Sequence, residues 1–312
     1  MTQIICGVDV SSETLDARIG RDGPAARFAA SPEGIAALAA FCRAHGAALV
    51  AMEATGGYEK RPFKLLWAEG LACAILNPRA VRRFAEAMGR LEKTDRLDAG
   101  LIAWFAEVKR IVPQEPAREG QERLTALVAR LRQLTALRTA QANQRRLVAE
   151  PDVLASIDEI AALAARQIRS LEAKIAGIID DDPLWSRLDQ AFRSIKGVAD
   201  RTVARIMAEM PEIGTLSGKA VAKLAGLAPL ARDSGKSAGR RSVRAGRGGV
   251  RAVLFVVAEI VRRFEPDFAA FHAKLSKAGK PKKVIRTALA RKLLVRLNAK
   301  AREARNQLAT AT

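Results

Sequence analysis

Apolar runs and amphipathic stretches alternate over the first 112 residues of the chain. Three short apolar runs and one alternating run have the composition of strands, and the turn signal Arg21-Asp22-Gly23 indicates a hairpin that returns near Phe28. Ser31 and Pro32 are typical of a helix start. The predicted strands are residues 3–10, 14–19, 48–53 and 71–76, and the predicted helices are residues 31–43 and 59–69. Such alternation indicates an α/β sheet.

From residue 121 onwards the apolar positions change to the three- and four-residue spacing of helices. Leucines recur from Leu124 to Leu137, and a second series, mostly of isoleucines, runs from Ile157 to Ile178. Glu150-Pro151-Asp152 separates the two series, so the pattern predicts an antiparallel helical hairpin or a dimerising coiled coil. The acids of Asp180-Asp181-Asp182-Pro183 are interpreted as a helix-to-loop exit rather than a metal site.

The final third of the chain contains further helical patterns, among them a buried helix over residues 253–264 and a basic helix over residues 277–300. We therefore predict an α/β domain over residues 1–112, a helical hairpin or coiled-coil spacer over residues 113–184, and a mainly α-helical domain over residues 185–312. A chain of 312 residues with 49% hydrophobic residues can form more than one core.

The charge of the chain indicates its partner. A net charge of +20 predicts a polyanion, for which nucleic acid is the first candidate. No apolar run approaches the roughly 18 residues of a membrane span, and no signal peptide precedes Gly7, so we expect a cytosolic protein without a membrane partner. The three cysteines lack CxxC spacing and indicate buried apolar positions, while the two histidines lack metal-ligand spacing. Zinc hydrolysis and histidine-based triads are therefore disfavoured.

Four carboxylates occupy positions that suit a shared site. Asp9 and Glu53 lie at the carboxyl ends of predicted strands, where the functional groups of α/β sheets gather, although each acid could also cap the turn that follows. Asp95 and Asp98 are three residues apart and share one face of a predicted helix, which could also be a solvated, charge-balanced helix start with Thr94 as its cap. Four converging carboxylates predict Mg²⁺ or Mn²⁺ and phosphodiester chemistry.

The segments GVDVSSETLD, MEATGGYEKRPFKLL and NPRAVRRFAEAMGRLEKTDRLDAGLIA carry a family resemblance. They resemble the amino-terminal DEDD domain of insertion-sequence transposases of the Piv/IS110 type, over about residues 4–106. The resemblance implies a RuvC-like, ribonuclease-H-like fold for the amino-terminal domain. It also implies that the four acids of the family correspond to Asp9, Glu53, Asp95 and Asp98, which the spacing had already singled out.

Two later segments are candidates for nucleic-acid binding. Ser194 to Ala199 resembles a helix-hairpin-helix, which would present the backbone at Lys196 and Gly197 to phosphate, whereas a plain packed helix-turn-helix is the alternative. A glycine-rich basic run follows Leu230, the residue that breaks a Walker A match. Its basic residues are predicted to bind nucleic acid, and the alternative for the arginines is a flexible cationic loop that only adds affinity for the phosphate backbone: Lys236, Arg240, Arg241, Arg244, Arg247 and Arg251.

In the resembling family this basic region contains a nucleophilic serine, and Ser234 matches it best, with Ser237 and Ser242 as rivals. The resemblance implies a DNA transposase that acts on donor and target DNA, is guided by an RNA encoded in the mobile element, and associates with the bacterial nucleoid during recombination. We expect a dimer or tetramer. The alternatives are a junction-resolving nuclease that uses only the four acids, and a non-catalytic nucleic-acid-binding scaffold.

Overall fold

A computed structural model of the chain describes residues 3–90, 95–230 and 242–310, with the backbone alone at residues 95–98. The chain forms two compact units, Met1–Ala117 and Arg118–Thr312. Within the described ranges, no helix has the length and apolar character that crossing a membrane requires.

The first unit is built on a five-stranded sheet with the order β3-β2-β1-β4-β5. β1 pairs antiparallel with β2 and β2 with β3, while β4 is parallel to β1 and β5 is parallel to β4. The strands are β1 Ile5–Val10, β2 Thr14–Ile19, β3 Ala25–Ala29, β4 Leu49–Glu53 and β5 Cys73–Leu76. An antiparallel meander continued by two parallel strands agrees with the RuvC-like, ribonuclease-H-like fold that the family resemblance implies.

Helices cover both faces of this sheet. They are α1 Pro32–Ala44, α2 Lys60–Ala68, α3 Pro78–Ala87 and α4 Asp95–Val108. α1 begins as predicted, with Pro32 at its first position and the Ser31 side chain accepting a hydrogen bond from the Gly34 amide. Leu38 of α1 packs with Val8 and Met52 on one face. The opposite face contributes Ile5, Leu49, Ala51, Ala74 and Leu76 to a core that includes Ile102 and Ala103 of α4.

The second unit is mainly helical. Its elements are α5 Glu119–Arg145, α6 Pro151–Asp181, α7 Pro183–Arg193, α8 Asp200–Glu209, α9 Gly218–Leu224, β6 Pro229–Leu230, β7 Ser242–Val243, α10 Gly248–Phe264, α11 Pro266–Lys277 and α12 Lys282–Ala309. α5 and α6 form the predicted antiparallel pair. Their inner residues, such as Leu124 and Ile168, belong to the same core as Phe192 and Leu293. The predicted boundary after residue 184 therefore does not separate two cores, because periodicity identifies an apolar face without identifying what covers it.

Three local predictions for this unit need correction. The acids at residues 180–182 do end α6, but α7 follows at once, and the Asp182 side chain caps it by accepting hydrogen bonds of 2.9 Å from the Leu184 and Trp185 amides. The predicted buried helix lies within α10, where Val256 and Phe264 are 60% and 56% exposed, so only one face of it is buried. Most of the predicted basic helix, residues 282–300, lies within α12, whereas Lys277 is the last residue of α11 and residues 278–281 separate the two helices.

Candidate active site and nucleic-acid interface

Asp9 and Glu53 lie at one edge of the sheet in the first unit. In the parallel pairing of β1 with β4, Val8 is opposite Met52, and Asp9 and Glu53 each follow one position later. Neighbouring strands are about 4.8 Å apart, and side chains in register share a face. Because Val8 and Met52 are buried beneath α1, Asp9 and Glu53 project from the opposite face, the one that α4 covers.

α4 approaches β1 closely because β1 has a glycine at the crossing. A Cβ atom on Gly7 would lie 1.9 Å from the carbonyl oxygen of Ala99 and 2.6 Å from the amide nitrogen of Ala103. Farther along α4, the Trp104 ring lies 4.1 Å from the guanidinium of Arg21. Arg21 comes just after β2, whose last residue, Ile19, pairs with Cys6 near the amino end of β1. α4 therefore runs from the carboxyl end of β1 towards its amino end.

This direction places the first turn of α4 on the side of the sheet where β1 ends. Asp95 and Asp98 belong to that turn by their backbone, whereas their side chains lie outside the described residues, as does the predicted cap Thr94. Among the side chains that the structure does describe, no three acids, histidines or cysteines form a metal site. The metal role of the four acids therefore remains a prediction.

Asp16 is a third acid at this sheet edge, and the sequence reasoning missed it. It pairs with Asp9 across β1 and β2, so the two side chains share a face. Arg27 of β3 donates a hydrogen bond of 2.7 Å to the Asp16 carboxylate. Asp16, Arg27 and Ala99 line a cavity of about 310 Å³. The available signal was the strand alternation, in which Asp16 stands between the buried residues Leu15 and Ala17.

A buried carboxylate holds the loop that follows Glu53. Glu59 is 6% exposed and accepts hydrogen bonds of 2.9 Å from the amides of Thr55 and Gly57. The Thr55 hydroxyl in turn donates to the Glu53 carbonyl at 3.3 Å. Gly57 has a φ of 111°, a conformation that L side chains rarely adopt. Glu59 is thus a positioning residue for the end of β4. In the sequence, only its spacing of four residues from Thr55 could have indicated this contact.

The serine region of the second unit is described only at its base. β6 and β7 pair antiparallel through Pro229 with Val243 and Leu230 with Ser242. The intervening residues 231–241 lie outside the described residues, and they include the candidates Ser234, Lys236, Ser237, Arg240 and Arg241. Ser242 is exposed on β7, and Arg244 is exposed just after it. The predicted roles of the residues between the two strands remain predictions.

Two glycines and an arginine close the base of this region. Gly226 and Gly246 both have a φ of 68°, and a Cβ atom on Gly246 would lie 2.3 Å from the Gly226 amide nitrogen. The backbones therefore touch where only glycine fits. The Arg251 guanidinium donates to the Ala245 carbonyl at 2.7 Å and to the Gly226 carbonyl at 3.3 Å. The described base of this region is therefore fixed by glycine contact and by charge-assisted hydrogen bonds.

Arg247 is also engaged within the chain. Its guanidinium binds the Glu212 carboxylate through two hydrogen bonds of 2.6 and 2.5 Å and donates to the Glu209 carbonyl at 2.8 Å. Burial raises the pKa of Glu212, but the hydrogen bonds and the charge of Arg247 outweigh that effect and leave the pKa below its ordinary value. Arg247 and Arg251 thus both have partners within the chain, and their predicted nucleic-acid binding stays a prediction.

The segment that resembles a helix-hairpin-helix packs against α10. Gly197 has a φ of 99°, and a Cβ atom there would lie 3.1 Å from the Val261 amide nitrogen. The Lys196 amide donates to the Glu265 carboxylate at 3.2 Å, whereas the Lys196 side chain is exposed. One of the amides expected to face phosphate is therefore occupied by a carboxylate, which favours the packed helix-turn-helix alternative.

The three cysteines are fully buried in one core beneath the sheet, at Cys6, Cys42 and Cys73. Burial raises the pKa of Cys73 to about 12, so its reactive thiolate form is scarce near neutral pH. The prediction that the cysteines serve as buried apolar residues is confirmed.

Comparisons with known proteins match both units. A transposase family model of the DEDD IS110 class matches residues 6–149, and the model of the transposase IS116/IS110/IS902 family matches residues 189–273. The pilin gene-inverting proteins of Moraxella bovis and Moraxella lacunata are each 27% identical over an alignment of 313 positions, which covers 94% of this chain and 94% of each relative. The structure of Thermus thermophilus RuvC aligns with 36% of this chain and 100% of its own length, at 13% identity and a TM-score of 0.25.

Proposed function

This chain belongs to the IS110-type transposase family, and from that premise we propose that it cuts and rejoins DNA through a DEDD carboxylate site and a serine nucleophile. DNA recombination by a transposase is the activity of the family. The observation that supports the carboxylate site is the shared position of Asp9 and Glu53 on the sheet face covered by α4. The pilin gene-inverting relatives are named for a DNA rearrangement, which agrees with recombination.

The proposed site fits a hard divalent cation. Asp9, Glu53, Asp95 and Asp98 would hold Mg²⁺ or Mn²⁺, since these ions prefer carboxylate oxygens, and all four candidates are carboxylates. The contact at Gly7 lets the first turn of α4 begin beside the end of β1. A cation bound there would stabilise the negative charge on a phosphodiester during displacement. Glu59 and Asp16 would support the site, by holding the loop after Glu53 and by engaging Arg27 next to Asp9.

The proposed nucleophile is Ser234. Its hydroxyl oxygen forms a bond to phosphorus while the bond from phosphorus to a sugar oxygen breaks, and the serine proton ends on that sugar oxygen. The phosphoserine ester conserves the energy of the phosphodiester bond, so rejoining needs no nucleotide hydrolysis. The fixed base formed by Gly226, Gly246 and Arg251 supports this role, because a reacting group must be held in place.

The family resemblance and the charge of +20 support two proposed partners besides DNA. One is a structured guide RNA encoded by the element. The other is further copies of the same chain, as a dimer or tetramer. Purified protein should then carry a discrete RNA, and ribonuclease treatment should abolish site-specific recombination. Equal recombination by RNA-free protein would remove the guide from the proposal.

The carboxylate site is tested by neutral substitutions of matched size. Asp9→Asn and Glu53→Gln should abolish strand cleavage in Mg²⁺ while nucleic-acid binding and the melting temperature stay close to wild type. Asp22→Asn is the control, because Asp22 is a turn carboxylate whose side chain is 79% exposed. Full cleavage by Asp9→Asn, or wild-type cleavage in excess EDTA, would contradict a metal-dependent site.

A further inference from the structure

The end of the second unit contains an excess of positive charge that its own acids do not balance. Eleven lysines and arginines and no acid lie between Asp267 and Glu303. Some of these bases are neutralised locally: Lys292 and Arg296 pair with Asp267 at 3.0 and 2.5 Å, and Arg286 approaches Glu259 at 3.7 Å. The remaining positive charge is concentrated where α11 meets α12.

Five lysines form this concentration, which we call the lysine corner: Lys274, Lys277, Lys280, Lys282 and Lys283. All five are exposed, and within the part of the chain that the structure describes none of them has an ion pair. Lys282 and Lys283 stand in the first turn of α12, which contains no acid. Positive charge at a helix amino terminus opposes the helix dipole, so this placement does not serve the stability of the helix.

The backbone of the lysine corner is fixed. Gly279 has a φ of 67° and its amide donates to the Ser276 carbonyl at 2.9 Å, while the Lys280 amide donates to the Leu275 carbonyl at 3.1 Å. These two bonds form a Schellman cap at the end of α11. Leu275 packs against the core of the unit. The lysines are therefore displayed from a rigid turn rather than from a mobile tail, and their backbone needs no ordering when a ligand binds.

We propose that the lysine corner binds the phosphate backbone of duplex DNA, independently of base sequence. Lysine provides point charges suited to phosphate, whereas base readout favours the bidentate groups of arginine, asparagine and glutamine. Residues 273–284, which contain all five lysines, include no aromatic side chain, so the turn itself lacks the stacking platforms on which single strands bind. The choice of DNA rests on the proposed function, because the substrate of a transposase is DNA.

Salt dependence of binding measures this contact directly. The full-length protein would be titrated onto a random-sequence DNA duplex between about 50 and about 200 mM salt, a range over which phosphate contacts change affinity strongly. Changing all five lysines of the corner to Gln should lower the slope of log affinity against log salt by about 3 to 4.5, since each phosphate contact contributes about 0.9. Changing the same five lysines to Arg should keep the wild-type slope, because the positive charge is retained. This variant separates an effect of charge from misfolding.

A dispersed variant is the matched control, with the same loss of net charge at five other exposed lysines: Lys60, Lys64, Lys109, Lys174 and Lys219. An equal loss of slope in this control would mean that net charge alone acts and would overturn the proposal. The proposal would also be overturned if the Gln changes lowered the salt slope only for an RNA duplex or only for single-stranded DNA, and not for the DNA duplex. Strand cleavage by Asp9→Asn should be lost while its salt slope is retained, so failure of the lysine corner and failure of the catalytic proposal give different results.

Discussion

The contact between Gly7 and α4 gives a quantitative prediction for Gly7→Ala. The new Cβ atom would lie 1.9 Å from the Ala99 carbonyl oxygen, and ordinary contact begins near 3.4 Å. The helix must therefore move by about 1.5 Å, because the obstructing atoms belong to its backbone and cannot rotate away. Overpacking of this kind costs about 1 to 3 kcal/mol of unfolding free energy. For a unit of this size the melting temperature should fall by roughly 4 to 15 °C.

The same movement should affect catalysis more than binding. It displaces the first turn of α4, which contains Asp95 and Asp98, from the strand end that contains Asp9. A misplacement of about 1 Å can reduce a catalytic rate by about 100-fold. Cleavage of DNA in Mg²⁺ should fall by at least that factor, while affinity for a DNA duplex stays within about twofold of wild type, because the lysines and arginines that we propose bind the DNA backbone are unchanged.

Thermal unfolding followed by tryptophan fluorescence is the assay for stability, because Trp67 and Trp104 report on the first unit and Trp185 reports on the second. Gly177→Ala is the matched control. Gly177 is exposed within α6 and a Cβ atom there meets nothing within 4 Å, so this change should raise stability by about 0.5 to 1 kcal/mol. Wild-type stability and wild-type cleavage in Gly7→Ala would show that α4 does not pack on β1 at this residue. The inferred position of Asp95 and Asp98 beside the end of β1 would then be wrong.

Three further predictions concern carboxylates, each checked by urea titration. Arg247→Met should lower the free energy of unfolding by about 1 to 2 kcal/mol, because the ion pair with Glu212 that it removes is about one-third exposed. The pKa of Glu212 is lowered in the folded protein, so the pair stabilises the fold fully above pH 4.5, the ordinary pKa of a glutamate. The difference in stability between wild type and variant should therefore shrink as the pH falls below 4.5. Asp182→Ala should cost about 1 kcal/mol through loss of the α7 cap, and an equal loss in Asp181→Ala would refute that role. Glu59→Ala should lower the free energy of unfolding by about 1 to 3 kcal/mol and reduce cleavage, because the loop amides lose their acceptor. Wild-type stability and wild-type cleavage in this variant would show that Glu59 does not hold the loop.

The sequence predicted four of the five strands of the first unit, because β1, β4 and β5 are short apolar runs and β2 alternates between buried and less buried residues. β3 lies where the hairpin was expected to return, but its residues form no apolar run. Ser31 and Pro32 located the start of α1, and two strand-end acids located one edge of the sheet. Asp16 and Glu59 were missed, since their roles depend on a cross-strand partner and on loop amides that sequence spacing does not reveal. For both residues, the sequence gives the side chain but not the groups that contact it in the folded chain.

The second unit was predicted less completely for a similar reason. A run of arginines indicates positive charge, but the structure shows that Arg247 pairs with the Glu212 carboxylate and that Arg251 donates hydrogen bonds to backbone carbonyls of its own chain. The break between α11 and α12 had a signal in Gly279 and Pro281, yet the apolar periodicity on both sides concealed it. Charge density alone therefore did not distinguish bases that hold the fold from those of the lysine corner, which face solvent.

The central proposal, DNA cutting through a covalent serine intermediate, is tested most directly by the products of one reaction. DNA with a nick near the cleavage point would be incubated with protein and Mg²⁺, denatured, and examined for a protein–DNA adduct whose labelled peptide is then mapped. We predict an adduct on Ser234 that is absent from both Ser234→Ala and Asp9→Asn. Efficient cleavage by Ser234→Ala, with free phosphate ends and no adduct on any residue, would contradict the proposal and identify a nuclease that uses the four acids alone.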